Sequence, residues 1–510
     1  MLNRRDSLAL FAAAIAFSAG AAKSAPARQR ADGEAFSWEW LKQLATLKAQ
    51  KPWQPVTPAA GAAAIDFEEA NRIGYRSAKA LWPGEGNHET RLFALNKFAA
   101  FSVSIAVVEG GRARPIAFSP DLFEVKPDRR GVKPTLPHGF AGFRLMNDGG
   151  VGDWLAFQGA SYFRSAGALD QYGISARGLA INTGIDGQEE FPMFTRFWLE
   201  RGPGDALTIY ALLEGPSVTG AYRFVSRKAE TGPTQDVSAA IRLRRDVARL
   251  GLAPLTSMFW YGEGNRAAAA DWRPEIHDSD GLALFTGAGE RIWRPLANPA
   301  RPSIGSFADR GPKGFGLLQR DRDFSHYQDD GAFYEKRPDL WVEPKGDWGE
   351  GAVMLYEIPT RREIEDNIVA FWTPAAPAKA GNRYDLEYRL SWSATDPAPR
   401  GGARAVDCWT GTAGPPGLEP VPGARRLVID FAGEPLSGLK RGSGVEPVVS
   451  VHGGKAIATH VYPVVGMASR WRLIVDVTGA GTGPATVRAY LKRGPNALTE
   501  TLIYSLGVSV

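Results

Sequence analysis

From residue 91 onward the chain runs in short apolar or alternating stretches closed off by Gly, Pro, Asp and Asn, and this rhythm dictates a protein of many short strands. Phe101-Ser-Val-Ser-Ile-Ala-Val-Val, Thr208-Ile-Tyr-Ala-Leu-Leu and Ala352-Val-Met-Leu-Tyr-Glu-Ile are typical. Runs of β-branched, aromatic and aliphatic residues between turn formers read as strands, and their steady recurrence reads as a large β-sandwich. Gly (58) and Pro (36) are abundant enough to supply the turns. Helix is expected in two places only. Residues 37–50 carry Trp38, Leu41, Leu44 and Leu47 at three-residue spacing behind a capping Ser37, and a second helix is expected over 67–77. Residues 237–250 fit strand or helix.

At 510 residues the chain exceeds the size at which one core keeps growing, so two domains are expected. The break falls at 373–381, where two prolines and four alanines separate strand-like runs. This divides the chain into a β-sandwich over 34–376 and a second unit over 382–510. The runs Arg426-Leu-Val-Ile-Asp-Phe, Pro447-Val-Val-Ser-Val, Trp471-Arg-Leu-Ile-Val-Asp-Val and Thr486-Val-Arg-Ala-Tyr-Leu have the spacing of an immunoglobulin-like sandwich. Residues 1–25 read as an export signal: Arg4-Arg5, then an uncharged Ala-rich run and small residues for cleavage. The paired arginines suggest the twin-arginine route, with Ser7 where a Phe is usual.

Several function classes drop out. Sixty basic and 55 acidic residues are interspersed, giving a net charge of +5 and no basic stripe for nucleic acid. Cys408 is the single cysteine, which excludes an intrachain disulfide and a four-cysteine zinc site. Six scattered histidines show neither HxH nor HExxH spacing, so no metal and no cofactor are expected. Fifteen Trp suit a protein whose apolar platforms meet sugar rings, although most tryptophans serve cores.

Polar, aromatic and glycine residues crowd into short blocks in the middle of the chain. These include Gly159-Ala-Ser-Tyr-Phe-Arg164, Tyr172-Gly-Ile-Ser-Ala-Arg-Gly178, Arg273-Pro-Glu-Ile-His-Asp-Ser-Asp280, Tyr334-Glu-Lys-Arg-Pro338 and Glu363-Ile-Glu-Asp-Asn367. Charges beside Trp and Tyr at strand ends suggest a polar groove with aromatic floors. The runs Gly-Ala-Ser-Tyr-Phe-Arg, Ser-Ala-Arg-Gly-Leu-Ala, Glu-Glu-Phe-Pro, Ala-Pro-Leu-Thr-Ser-Met-Phe, His-Asp-Ser-Asp, Trp-Val-Glu-Pro and Asp-Asn-Ile-Val carry a further signal. Through them the chain resembles the periplasmic glucan biosynthesis protein G/D family over nearly its whole mature length. The leader resembles the D branch, and Gly281 after His-Asp-Ser-Asp resembles the G branch. The resemblance implies an all-β fold, a large galactose-mutarotase-like β-sandwich followed by a smaller immunoglobulin-like one. It also implies a periplasmic inverting endo-β-1,2-glucanase with Asp366 as general acid and Asp278 as general base, working through a proton relay. The implied ligand is β-1,2-glucan. A membrane glucan synthase is a further implied partner, and a homodimer is compatible with the resemblance.

Elementary chemistry agrees with that pairing. Glycoside hydrolysis needs one carboxylic acid to protonate the leaving oxygen and one carboxylate to activate water. An acid that works near neutral pH needs a raised pKa, from burial or from neighbours such as Glu363 and Glu365. In an extended strand Asp366 shares a face with Ile364 and Ile368; alternatively it opens a turn. One strand register puts Asp278 and Asp280 on the same side, where they repel. Without a Gly-x-Ser-x-Gly elbow, His277 beside Asp278 does not indicate serine chemistry. Glu363, Tyr334, Ser279 and His277 are candidates for relay or positioning. Trp293, Arg294, Arg337, Trp341 and Trp348 are candidates for sugar contacts. Arg164 and Arg177 are expected to be buried partners of Glu189 or Glu190. Two alternatives remain: a non-catalytic glucan-binding assembly factor, and an inverting transglycosylase.

Overall fold

The computed structural model describes residues 33–507 except 186, 188, 270, 399, 400, 416 and 480–482, and leaves the side chain of 267 aside. The export signal read in 1–25 lies outside the described residues. The protein is an all-β sandwich with few helices, as the strand rhythm requires.

Two extended sheets face each other. The larger has sixteen strands and includes Met193–Arg201, Leu207–Glu214, Val218–Ala229 and Gly232–Leu243 as an antiparallel meander. The second has ten strands and runs from Ser303–Arg310 through Glu350–Glu357, Ile368–Pro374, Leu250–Ser257 and Tyr162–Ser165 to Thr90–Ala94. Period-two alternation fills the space between them. Phe157 and Phe163 of the second sheet meet Phe224 of the first at 5.3 and 5.1 Å. The same alternation sends Trp198 to the outer face while Phe197 enters the core, and the outer face is covered by the helix Trp38–Ala49 through Leu41 and Ala45. Ser37 caps that helix through the Trp40 amide at 3.1 Å. The second expected helix is only Phe67–Ala70, started by an Asp66 capping box, and it gives way to a strand at Ile73–Tyr75. Residues 237–243 are strand.

The segment 373–381, expected to be a linker, is tied into the fold. Ala378 is bridged to Val247 and Lys379 pairs with Asp246, after which the strand Arg383–Ser393 enters the large sheet between Gly232–Leu243 and Asp339–Lys345. The segment connects Ile368–Pro374 of the ten-stranded sheet to Arg383–Ser393 of the large one, and the second sandwich follows. There Arg404–Thr412, Ala424–Ala432, Arg470–Gly479 and Gly454–Pro463 form a four-stranded sheet. It packs through Leu427, Ile429, Leu473 and Val475 on Ala485–Arg493 and Thr501–Leu506. Those two strands belong to the large sheet, because Thr501–Leu506 pairs in parallel with Arg291–Pro295. One sheet therefore serves both sandwiches.

Candidate active site

The site is built where Leu250–Ser257 ends. Ser257 pairs with Ile368, the first residue of its strand, which fixes Asp366 two positions upstream. The Asn367 amide accepts from the Phe259 N–H at 2.9 Å and donates to the Phe259 and Ile358 carbonyls at 3.0 and 2.8 Å. From the other side the Asp278 N–H donates to the Met258 carbonyl at 2.8 Å. The short segment 257–259 thus holds both aspartates, distant in sequence, at one place.

Arg337 joins them. Its guanidinium is ion-paired to Asp278, lies 3.9 Å from the centre of the Tyr334 ring, and acts electrostatically on Asp366 and Glu363. Burial works against its charge, which these carboxylates support. Gly173 lets the chain close over this arginine: a Cβ there would stand 2.9 Å from its Cδ. Burial raises Asp366 from 3.8 to about 6, against the pull of Arg164 and Arg337. The cause is desolvation; Glu363 and Glu365 turn elsewhere. Glu365 accepts from Thr360 at 2.8 Å, while Glu363 accepts from Tyr334 Oη at 3.0 Å and Arg273 at 2.7 Å. Asp366 follows a turn rather than lying in a strand, with Ile364 exposed and Ile368 fully buried.

Asp278 and Asp280 do not share a side, because the strand Ile276–His277 stops before them. Asp278 faces Arg337; Asp280 turns inward to His277 at 3.5 Å and accepts from the Asp321 N–H at 2.7 Å. His277 is clamped at both ring nitrogens. Gln319 Nε2 donates to the His277 and Tyr334 carbonyls, each at 3.1 Å, so its Oε1 must accept from His277 Nδ1 at 3.0 Å. Nε2 then faces Glu275 at 3.0 Å. Burial opposes the imidazolium, yet Asp280, Glu275 and Glu263 outweigh it and lift His277 to about 9. Glu275, His277 and Asp280 are the one set of metal-type donors within 4.8 Å of one another among the described residues, and a divalent ion would have to displace that proton.

Of the expected residues, Asp278, Asp366, Arg337, Tyr334 and Glu363 come together. Ser279 and His277 lie behind them, fully buried, with Ser279 Oγ 2.6 Å from Ser257 Oγ. Trp293, Trp341, Trp348 and Arg294, expected to contact sugar, are all buried. Trp293 and Trp341 fill the core shared with the second sandwich, and Trp348 packs on Trp372 and Tyr388. Arg294 pairs with buried Glu357 at 3.0 Å. Arg177 does pair with Glu189 at 3.1 Å, but Arg164 does not: it lies 4.4 Å from the Tyr172 ring centre, beside Asp366. Alternation explains Arg164, since Phe163 takes the core side and leaves Tyr162 and Arg164 on the outer face. Sequence reasoning also missed Arg273, which ties Asp271, Asp329 and Glu363 together at 2.6–2.8 Å. Its flanking block was the only signal.

Fold and site together define a class: an all-β protein of two fused sandwiches with two aspartates gathered around a partly buried arginine. The family described as "Periplasmic glucan biosynthesis protein, MdoG" matches residues 36–506. Glucans biosynthesis protein D 2 of Ralstonia nicotianae is 43% identical over 488 residues, covering 92% of this chain and 90% of that one. The probable glucans biosynthesis protein D of Shewanella oneidensis is 43% identical over 500 residues, covering 96% and 92%. Glucans biosynthesis protein D of Xanthomonas campestris pv. campestris is 42% identical over 497 residues, covering 95% and 92%. The chain belongs to the periplasmic glucan biosynthesis protein family, and glucan biosynthesis is the process in which it takes part. Among the described residues no helix is long and apolar enough to cross a membrane.

Proposed function

We propose that this protein is a periplasmic, anomer-inverting endo-hydrolase of linear β-1,2-glucan, with Asp366 as general acid and Asp278 as general base. The observation that carries the reading is the meeting of the two aspartates at Arg337, which is ion-paired to Asp278 and acts electrostatically on Asp366. Asp366, raised to about 6, keeps a proton into the range where a glycosidic oxygen needs one. It donates that proton as the bond from the anomeric carbon to the leaving oxygen breaks, and water adds to the opposite face of the ring. Asp278, ion-paired with Arg337, accepts the proton lost by the water. At 4% exposure it is reached through an intervening water or sugar hydroxyl, with Tyr334 and Glu363 ordered alongside.

Purified protein incubated with linear β-1,2-glucan is expected to give shorter linear chains on sizing. Rings or lengthened chains would replace hydrolysis with transfer, and unchanged but bound glucan would leave an assembly factor. Asp366→Asn and Asp278→Asn should each abolish turnover with folding retained; wild-type rates in either would remove that residue from its role.

A further inference from the structure

After the strand Gly314–Leu318 the chain leaves the large sheet, and Gln319, Arg320, Asp321 and Arg322 take no regular secondary structure. Their bonds run in two directions. Toward the site, the fully buried Gln319 donates from Nε2 to the carbonyls of His277 and Tyr334, each at 3.1 Å. Arg322 Nη1 donates to the carbonyls of Glu335 and Arg337 at 3.0 and 2.9 Å. The run therefore grips three carbonyls of the segment that bears Tyr334 and Arg337, together with the carbonyl that precedes Asp278. That segment is a single 3₁₀ turn, Tyr334–Lys336, and a turn so short has little stability of its own. Its place is set by these outside donors.

In the other direction Arg320 reaches the second sandwich. It bonds to Glu500 at 2.5 and 3.1 Å, to Asp396 at 3.1 Å and to the Ala405 carbonyl at 3.2 Å. Its guanidinium also lies 3.7 Å from the centre of the Trp293 ring. Glu500 is itself held, accepting from the Ala405 N–H at 2.9 Å. Between the two arginines, Asp321 donates its N–H to Asp280 at 2.7 Å, and its carbonyl accepts from Tyr327 Oη at 3.1 Å. Gln319 and Arg320 are neighbours, so one peptide unit separates the bonds to the second sandwich from those that hold His277 and Tyr334.

We propose that the second sandwich is part of the working site: through Glu500 and Arg320 it fixes the run 319–322, and that run sets Tyr334 and Arg337 against Asp278. Glu500, Arg320 and Gln319 are positioning residues, acting through the turn they hold. The inference rests on the hydrolase reading and gives the second sandwich a task within it. Displacing such a turn by about 1 Å costs on the order of a hundredfold in turnover, and a loss made only at the transition state falls on kcat rather than on KM.

The test is steady-state hydrolysis of linear β-1,2-glucan by the full chain carrying Glu500→Gln or Gln319→Met, at a temperature where melting curves show each variant folded. Both replacements nearly keep the shape of the original side chain. Each should lower kcat by about tenfold or more with KM within twofold of the wild type. The double variant should lose no more than the worse single one, because both changes break one linkage. A folded single variant with kcat within twofold of the wild type, a loss carried by KM, or losses that multiply would each overturn the role of the second sandwich and leave the hydrolase reading standing. A wild-type protein that shortens no glucan would overturn both.

Discussion

Asp366 owes its raised pKa to packing, which fixes the direction of its pH response. Its folded pKa, about 6, lies above the ordinary 3.8. Its stabilising contribution is therefore complete below 3.8 and drains as pH rises through about 6. Asp366→Asn removes that loss, so relative to the wild type the variant should gain stability between pH 4 and 7.5, on the order of 2 kcal/mol. Paired thermal melts across that range would check it, and a difference that shrinks with pH would contradict the burial account. The activity of the wild type should fall on the alkaline side of about pH 6 for the same reason. His277 carries a second signature. Raised from 6.5 to about 9, it contributes stability that is full below 6.5 and lost as pH passes 9, and His277→Gln should flatten the melting curve over that interval. At this scale Asp278 and Asp366 are singled out through the family resemblance and Arg337, Tyr334 and Glu363 through their polar blocks, and the structure sets these side chains around Arg337. The sequence was not legible for Trp293 or Trp341. A tryptophan beside charges reads alike whether it lines a groove or fills the seam between two sandwiches.

Among the elements, Arg383–Ser393 taught the most. Its sequence announces a strand, yet nothing in it says which sheet it joins; that depends on Gly232–Leu243 and Asp339–Lys345, far away in the chain. Pro and Ala at 373–381 suit a crossover between sheets as well as a linker. A chain ending at residue 376 lacks this central strand and is expected to be insoluble when expressed. The strand's fit depends on Gly232, whose φ is +120° and whose added Cβ would stand 1.9 Å from the Trp392 carbonyl oxygen. Gly232→Ala should lower stability by about 3 kcal/mol or more, read as a drop in the denaturation midpoint. An unchanged midpoint would mean the sheet yields there.

For the whole molecule, alternation and turn spacing gave away two sandwiches but not their fusion, because pairing between Arg291–Pro295 and Thr501–Leu506 spans some two hundred residues of chain that no local pattern encodes. Partly buried Arg320 reinforces the seam, bonded to Asp396 at 3.1 Å and Glu500 at 2.5 Å. Scanning calorimetry should accordingly give one cooperative transition for both sandwiches, and Glu500→Ala should lower it without splitting it. Two separate peaks would show that the seam is weak. A ladder of main-chain bonds shared by both halves has a mechanical corollary. The halves cannot swing like jaws, so any movement that admits a ligand falls to the surface loops.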